Sequence, residues 1–274
     1  MDIKAFKMDG LGNDFVIIDQ RNQNYNLSKD QIIKICDRNF IGCDQLIFIQ
    51  KSDRKDAELE FYNSDGSVSG ACGNGTRCVA DLLSKENNNN KIILWTSSGT
   101  LKSKILGDNL VETEIGIPKT NWDEIPLNKD LNTENLNIKI VNKNNIEHIG
   151  GTAVNVGNPH IVFFVDNIED YDLKKIGPEV ENHNYFPKKC NVTLAKVVNK
   201  KLIKVKVWER GAGLTKACGT AACATAVAAN INGLTGKKTD IEFALGKLSI
   251  SIDENNSIHM KGPVSDIKNI EINI

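Results

Sequence analysis

No apolar run in this chain approaches the roughly 20 residues that a membrane-spanning helix needs. The longest candidate, residues 161–165, has the length of a buried strand. No charge of one sign dominates either: the formal net charge is −1, which gives no electrostatic reason to expect nucleic acid or a membrane surface as partner. No apolar signal core follows the opening Met1-Asp-Ile-Lys-Ala-Phe-Lys7. The four histidines are scattered. The cysteine gaps 36/43, 72/78 and 218/223 are not the close spacing of a zinc site, so no metal is expected. The glycine loops Gly10-Leu-Gly12 and Gly211-Ala-Gly213 lack the third glycine of a dinucleotide fingerprint. Gly236-Lys-Lys-Thr239 lacks the upstream glycine of a phosphate-binding loop. No lysine has a recognisable pyridoxal phosphate context, so no cofactor is expected. Lysines in residues 200–206 alternate with Leu, Ile and Val, which predicts the wet face of a strand.

What the chain does have is cysteine, seven residues of it. An odd count without a signal peptide predicts reduced thiols in the cytoplasm. Two of the seven sit in stretches that echo each other. One runs from Tyr62 through Asn63-Ser-Asp-Gly66 to Ala71-Cys-Gly-Asn-Gly75. The other runs from Trp208 through Glu209-Arg210 and Gly211-Ala-Gly213 to Ala217-Cys-Gly-Thr220. In each, an aromatic ends an alternating strand, a Gly-, Ser- or Thr-rich loop follows, and a helical run begins after the Cys-Gly. Each motif therefore places a cysteine at a helix N-terminus, where unpaired amides and the helix dipole favour a thiolate. The same amides can hold a carboxylate. Either cysteine alone reads as a small buried hydrophobe; the matched pair overturns that reading. Cys78 and Cys223, farther along the two helices, read as packing residues.

The echo continues along the chain. Gly12-Asn13-Asp14 precedes an apolar run, as Gly157-Asn158-Pro159-His160 does 145 positions later. Cys43-Asp44-Gln45 matches Cys190-Asn191-Val192 at an offset of 147, and Cys72 matches Cys218 at 146. Gly99 matches Gly246, and Gly116 matches Gly262. Ordered matches at nearly one offset predict a duplicated α/β unit, longer than any solenoid repeat. The first lobe is expected over residues 1–117 with 263–274, and the second over 118–262. The last strand would close the first lobe's sheet. A helix is expected over residues 28–39, capped by Ser28, with Ile32, Ile33 and Ile35 facing inward. Residues 121–145 are Asn-rich and assign to little. Two copies of one unit are expected to face each other about a pseudo-twofold axis, which would bring Cys72 and Cys218 across one cleft.

Two opposed thiols suit inversion at a carbon acidified by a carboxylate. One thiolate removes a proton from one face while the opposite thiol delivers another. The amides of Gly73, Asn74, Gly219 and Thr220 could hold the carboxylate as it takes on enolate charge, at about 3–4 kcal/mol per well-aimed donor. Arg210 can grip a second carboxylate in bidentate fashion, and Glu209 can accept from an ammonium. Asn63 holds the place of Glu209 in the first half. Asn13, Gln45, Asn158 and Asn191 occupy loop positions that the repeat aligns. Any one of these asparagines alone reads as a turn former, and Glu209-Arg210 alone reads as a solvated pair.

Across essentially its whole length the chain resembles the diaminopimelate epimerase family. The resemblance rests on Gly10-Leu-Gly-Asn-Asp-Phe15, Gly42-Cys-Asp-Gln45, Asn63-Ser-Asp-Gly66, Cys72-Gly-Asn-Gly75, Gly157-Asn-Pro-His160, Phe186-Pro187, Asn191-Val192, Glu209-Arg-Gly-Ala-Gly213 and Ala217-Cys-Gly-Thr220. It implies a mixed α+β fold of two homologous lobes, each an antiparallel sheet wrapped around a central helix. It also implies cofactor-independent interconversion of L,L- and meso-diaminopimelate, on the route to lysine and peptidoglycan, with Cys72 and Cys218 as the two bases. By the same resemblance Gly73, Asn74, Gly219 and Thr220 hold the reacting carboxylate. Asn63, Asn158, Asn191 and Arg210 hold the distal end, and Asn13 and Gln45 line the pocket. His160 and Glu209 engage the substrate amine and tune the thiols. Ala221 stands where the family often has Gly. The expected partners are this small diamino-dicarboxylate and a second copy of the chain, as a homodimer. Competing readings are a proline or hydroxyproline racemase, whose substrate lacks a distal carboxylate for Arg210, and a phenazine-type isomerase, which would lack the paired thiols. A thiol redox switch using Cys72 and Cys218 is a third.

Overall fold

The computed structural model describes residues 2–53, 55–70 and 72–274, so Ala71 of the first cysteine motif lies outside the described residues. The chain divides into two compact units, Met1–Glu114 with Lys261–Ile274, and Ile115–Met260. Among the described residues no helix is long and apolar enough to cross a membrane.

The first unit begins with strands β1 (Asp2–Asp9) and β2 (Asp14–Asp19), then helix α1 (Lys29–Cys36). Strands β3 (Gln45–Gln50), β4 (Ala57–Asn63) and β5 (Val68–Ser69) follow. Helix α2 (Gly73–Asn87) and strands β6 (Lys91–Thr96), β7 (Gly99–Gly107) and β8 (Leu110–Gly116) complete the order. The apolar cores of β2 and β3 are buried on both faces, as their unbroken apolar runs require. They pair in parallel, because α1 makes the long crossover that parallel neighbours need. The sheet is therefore mixed, antiparallel except where a helix intervenes; β4 and β6 are likewise parallel across α2. The closing strand Lys268–Asn273 pairs antiparallel with β1, as the sequence predicts.

Helix α1 carries a capping box, with Gln31 N donating to Ser28 Oγ and Ser28 N donating to Gln31 Oε1. It ends at Cys36 rather than near residue 39, because Asp37 turns to extended backbone. Ile32, Ile35 and Cys36 are buried, but Ile33 is 38% exposed. At 100° per residue, Ile33 falls off the face the other three share.

The second unit repeats the order after an added hairpin, β9 (Ile138–Val141) and β10 (Glu147–Gly150). Then come β11 (Thr152–Asn155), β12 (Pro159–Phe164), α3 (Leu173–Glu181), β13 (Asn191–Asn199), β14 (Leu202–Glu209), β15 (Gly213–Thr215) and α4 (Gly219–Ile231). Strands β16 (Lys238–Phe243) and β17 (Gly246–Ile252) follow, and β18 (Ile258–Pro263) runs across the boundary at Met260. Strands β12 and β13 are parallel across α3, and β14 and β16 are parallel across α4. The Asn-rich stretch acquires a role: Ile125, Leu127 and Leu136 pack with Leu173, Ile176 and Val180 of α3. Helix α4 is apolar all round and buried along most of its length among β11, β12, β13, β16 and β17. Cys78 and Cys223 are fully buried packing residues.

Strand register sets the equivalence of the two units. Phe15 pairs with Gln45 as His160 pairs with Asn191, and Leu46 pairs with Tyr62 as Val192 pairs with Trp208. Gln45 thus corresponds to Asn191 at an offset of 146. The offset of 147 suggested by the Cys43 and Cys190 motifs slips by one, because strand pairing and not the cysteines fixes the alignment. Gly75 in α2 faces Ile47, Phe61 and Phe15; a Cβ there would lie 2.7, 3.0 and 3.2 Å from their nearest atoms. The corresponding neighbours in the second unit are Thr193, Val207 and His160, and the corresponding helix residue is Ala221. Smaller side chains around α4 leave room for the methyl group that α2 excludes. We expect Gly75→Ala to destabilise the protein by about 1–3 kcal/mol through overpacking, despite the better helix propensity of alanine. Denaturant unfolding of the variant checks this; equal or greater stability would contradict the packing.

Candidate functional site

The two cysteine motifs fold into the same local structure. Cys72 is the N-cap of α2 with φ −139° and ψ 115°, and Cys218 is the N-cap of α4 with φ −139° and ψ 116°. Each carbonyl already accepts a helical bond, from Thr76 N at 2.8 Å and from Ala222 N at 3.0 Å. Thr76 Oγ1 adds a second bond to the Cys72 carbonyl at 2.8 Å. The amides just inside each helix, those of Gly73 and Asn74 and of Gly219 and Thr220, precede the first residue that can bond back along the helix. Each station therefore offers a sulfur beside amide donors.

Around Cys72 the structure gathers Asn13 and Asn74. The Cys72 thiol donates to Asn13 Oδ1 at 3.6 Å, and Asn74 Nδ2 donates to the same oxygen at 3.4 Å. A Cβ on Gly10 would come within 3.2 Å of Asn74 Cβ and its carbonyl oxygen, so only glycine lets the loop carrying Asn13 close onto the helix start. Asn13 Nδ2 donates to Asp44 Oδ2 at 2.9 Å. Asp44 in turn accepts from Arg38, which grips Asp14 in bidentate fashion at 2.7 and 2.9 Å. Burial pushes the Asp14 carboxyl upward, but Arg38 and Lys7 outweigh it and hold the group below the usual carboxylate range. Gln45 and Asn63 form their own pair, with Gln45 Nε2 donating to Asn63 Oδ1 at 2.9 Å.

The second unit places its predicted residues in one chain of contacts. His160 Nε2 lies 2.7 Å from Asn158 Oδ1. That oxygen can only accept, so this shorter contact favours a ring proton on Nε2 over the opposing 3.5 Å contact from Asn191 Nδ2. Asn191 Nδ2 donates to the Pro159 carbonyl at 2.9 Å, and Asn191 Oδ1 accepts from the Arg210 amide at 3.0 Å. The Arg210 guanidinium donates to the Lys188 carbonyl at 3.0 Å. Cys218 is 6% exposed, 3.4 Å from Thr220 Oγ1, and next to the Glu209 carboxylate. Burial pushes its thiol well above the usual value, and the Glu209 charge adds to this. Thr220 and the Ala221 amide offset only part of the rise. The lowered thiol that a helix N-terminus predicts is thus overturned at Cys218, because desolvation and a neighbouring anion exceed the dipole. His160 is fully buried and its pKa is lowered to about 3, by burial first and the Arg210 charge second. It is neutral throughout the physiological range, and its Nδ1 is a buried acceptor with no hydrogen-bond partner among the described residues.

Sequence reasoning missed two supports. Asp44 aims Asn13 at Cys72, yet its own motif marked only its neighbours. Glu181, at the end of α3, is 5% exposed and accepts from Trp208 Nε1 at 2.7 Å and from Gly211 N at 3.1 Å. It therefore grips the chain on both sides of Glu209-Arg210. Nothing in the polar helix sequence around it signals this.

The duplicated mixed α/β fold of this chain is seen in several solved structures. A phenazine biosynthesis protein of Bacillus anthracis aligns over 100% of both chains at 15% identity, with TM-score 0.70. A predicted epimerase of Pseudomonas aeruginosa aligns at 15% identity over 98% of this chain and 99% of its own, with TM-score 0.70. A probable proline racemase of Agrobacterium radiobacter K84 aligns at 10% identity over 99% and 93%, with TM-score 0.69. Such identities show the fold alone. The family follows from sequence: the diaminopimelate epimerase profile matches residues 5–120 and 152–267, and the chain belongs to that family. A diaminopimelate epimerase of Pelagibacter ubique (strain HTCC1062) is 76% identical over 274 residues, covering 100% of both chains. One of Acidiphilium cryptum (strain JF-5) is 40% identical over 94% of this chain and 92% of its own.

The depressed His160 pKa gives a test with a definite sign. Between about pH 3 and pH 6.5 the unfolded chain binds a proton that the folded His160 does not, so stability falls as pH drops through that window. From pH 7 to pH 5 the wild type should lose about 2 kcal/mol more than His160→Gln. Denaturant unfolding at both pH values measures the difference; equal losses would place a protonatable His160 in the folded state.

Proposed function

We propose that the chain epimerises L,L-diaminopimelate to the meso form by proton transfers at Cys72 and Cys218, in the cytoplasmic synthesis of lysine and peptidoglycan precursors. The observation that carries this reading is the near-identity of the two cysteine N-caps. The same sulfur-and-amide station is built twice in one chain of this family. A reaction at one carbon with two faces needs two such stations, one to take a proton and one to give it.

In the proposed step the Cys72 thiolate takes the α-proton of the L,L substrate and becomes a thiol. The Cys218 thiol, which burial and Glu209 keep protonated, gives its proton to the other face and becomes the thiolate. The roles reverse for the meso substrate. Amides of Gly73, Asn74, Gly219 and Thr220 hold the reacting carboxylate as charge moves onto it. His160 Nδ1, neutral and buried, suits an ammonium hydrogen, and Glu209 offers that ammonium a counter-charge. Asn63, Asn158, Asn191 and Arg210 bind the distal amino-acid end, with Asn13 and Gln45 completing the wall. Seven cysteines, none in a disulfide, fit the reducing compartment that this chemistry requires.

The test uses solvent protons. Pure L,L substrate turned over in D₂O to early conversion should give meso product labelled at the inverted carbon, while recovered substrate stays nearly unlabelled. One base passing the same proton to both faces would leave much of the product unlabelled, and that result overturns the reading. Either Cys72→Ala or Cys218→Ala should lower epimerisation by about 10²–10⁴-fold.

Substrate choice is tested at Arg210. Its loss strands the distal carboxylate, so Arg210→Met should lower kcat/KM by about 10²-fold or more with the thermal midpoint unchanged. Near-normal kcat/KM in a folded variant would remove Arg210 from the site.

A further inference from the structure

The first unit holds a second pair of thiols. Cys36 ends α1, and Cys43 lies in the turn before β3. Their sulfurs are 3.4 Å apart. The Cys43 amide donates to the Cys36 carbonyl at 3.2 Å, and the Gly42 amide to the Ile35 carbonyl at 3.0 Å, so the backbone holds the two residues side by side. Both are nearly buried, at 3% and 1% exposure. Both nevertheless line a cavity of about 350 Å³, whose wall also carries Asp37, Arg38 and Asp44. The Cys43 thiol donates toward Cys36; that bond, opposed by burial and aided by the Arg38 charge, pulls the Cys36 thiol down. The same bond and burial push Cys43 up. Both belong to an apolar cluster with Ile32, Ile35, Leu46 and Phe48, but packing alone does not require their sulfurs to touch. These two sit against each other, beside a cation and a cavity large enough for a small oxidant, and the proposed epimerisation uses neither.

We propose that Cys36 and Cys43 form a dithiol site that hydrogen peroxide converts to a disulfide. The Cys36 thiolate attacks one peroxide oxygen: an S–O bond forms, the O–O bond breaks, and the leaving oxygen departs as water after protonation. Cys43, its proton lost, attacks the Cys36 sulfenic acid: an S–S bond forms, the S–O bond breaks, and a second water leaves. Two thiols lose two hydrogens and one peroxide becomes two waters. The sulfurs need to come about 1.4 Å closer to reach bonding distance, starting from 3.4 Å. The bond would tie the end of α1 to the residue before Asp44. Asp44 holds Asn13, and Asn13 holds the Cys72 thiol. The link is therefore placed to act on Cys72 through two side chains.

The experiment uses the full chain carrying Cys218→Ser, treated with one equivalent of hydrogen peroxide. Trypsin cleaves after Lys34, Arg38 and Lys51, so Cys36 and Cys43 fall in separate peptides, 35–38 and 39–51, joined only by a disulfide. We expect the joined peptide, reversible by dithiothreitol. With Cys43→Ser added, we expect a dimedone adduct on peptide 35–38, marking a Cys36 sulfenic acid without its partner. Recovery of both cysteines as free thiols, or of unlinked overoxidised Cys36 in the chain that keeps Cys43, overturns the site. Intact mass separates linked chains, two hydrogens lighter, from unlinked ones in the same sample. Iodoacetamide should alkylate Cys72 at rates differing at least threefold between them; equal rates overturn the connection to Cys72. None of these readouts uses epimerase activity, so their failure is distinct from a failure of the proposed function.

Discussion

Each unit depends on a helix whose start must stay unsatisfied. Helices α2 and α4 are surrounded by strands over most of their length, so their first turns are held by packing on every side. Such a helix can leave amides unpaired at its N-terminus without fraying, because the sheet fixes it. The cysteine at the cap inherits that rigidity. Neither Cys72 nor Cys218 makes a side-chain capping hydrogen bond to its helix; their sulfurs contact Asn13 and Thr220 instead. The anchoring bonds fall instead on the cysteine carbonyls, where Thr76 and Ala222 hold them.

The two stations share a backbone and differ in their surroundings, and the difference suits a division of labour. Cys72 lies half-buried among neutral amides, with Asn13 accepting from its thiol. Cys218 is buried beside a carboxylate that disfavours the thiolate. At the register position of Phe15 the second unit carries His160, kept neutral by burial. The duplication repeats the scaffold; where the first unit has Asn63 the second has Glu209, whose charge adds to the burial that raises the Cys218 thiol.

Charged residues that never touch a reacting atom hold these parts. Asp14, Arg38 and Asp44 form a network outside the Cys72 station, and Glu181 grips the strand end and turn that carry Glu209 and Arg210. Glu181 is buried and Asp14 partly so; a charge removed from water stabilises only when its geometry is satisfied, so these two narrow the positions that the adjoining loops can take.

Much of this was written in local patterns. The strand, loop, Cys-Gly and helix order appears in the spacing of both motifs, because helix starts and glycine turns have short-range causes. The capping box at Ser28 and the apolar runs of β2, β3 and β12 are local in the same way. The one-residue slip between the Cys43 and Cys190 motifs was settled only by strand pairing, since register depends on partners distant in sequence. Ile33 turned outward for a similar reason: the helix face is chosen by the sheet beneath it. The roles of Glu181 and Asp44, the neutral state of His160 and the raised thiol of Cys218 have no local signature. Desolvation and long-range hydrogen bonds exist only once the chain has closed around those groups, and at Cys218 they outweigh the helix dipole that the sequence alone predicts.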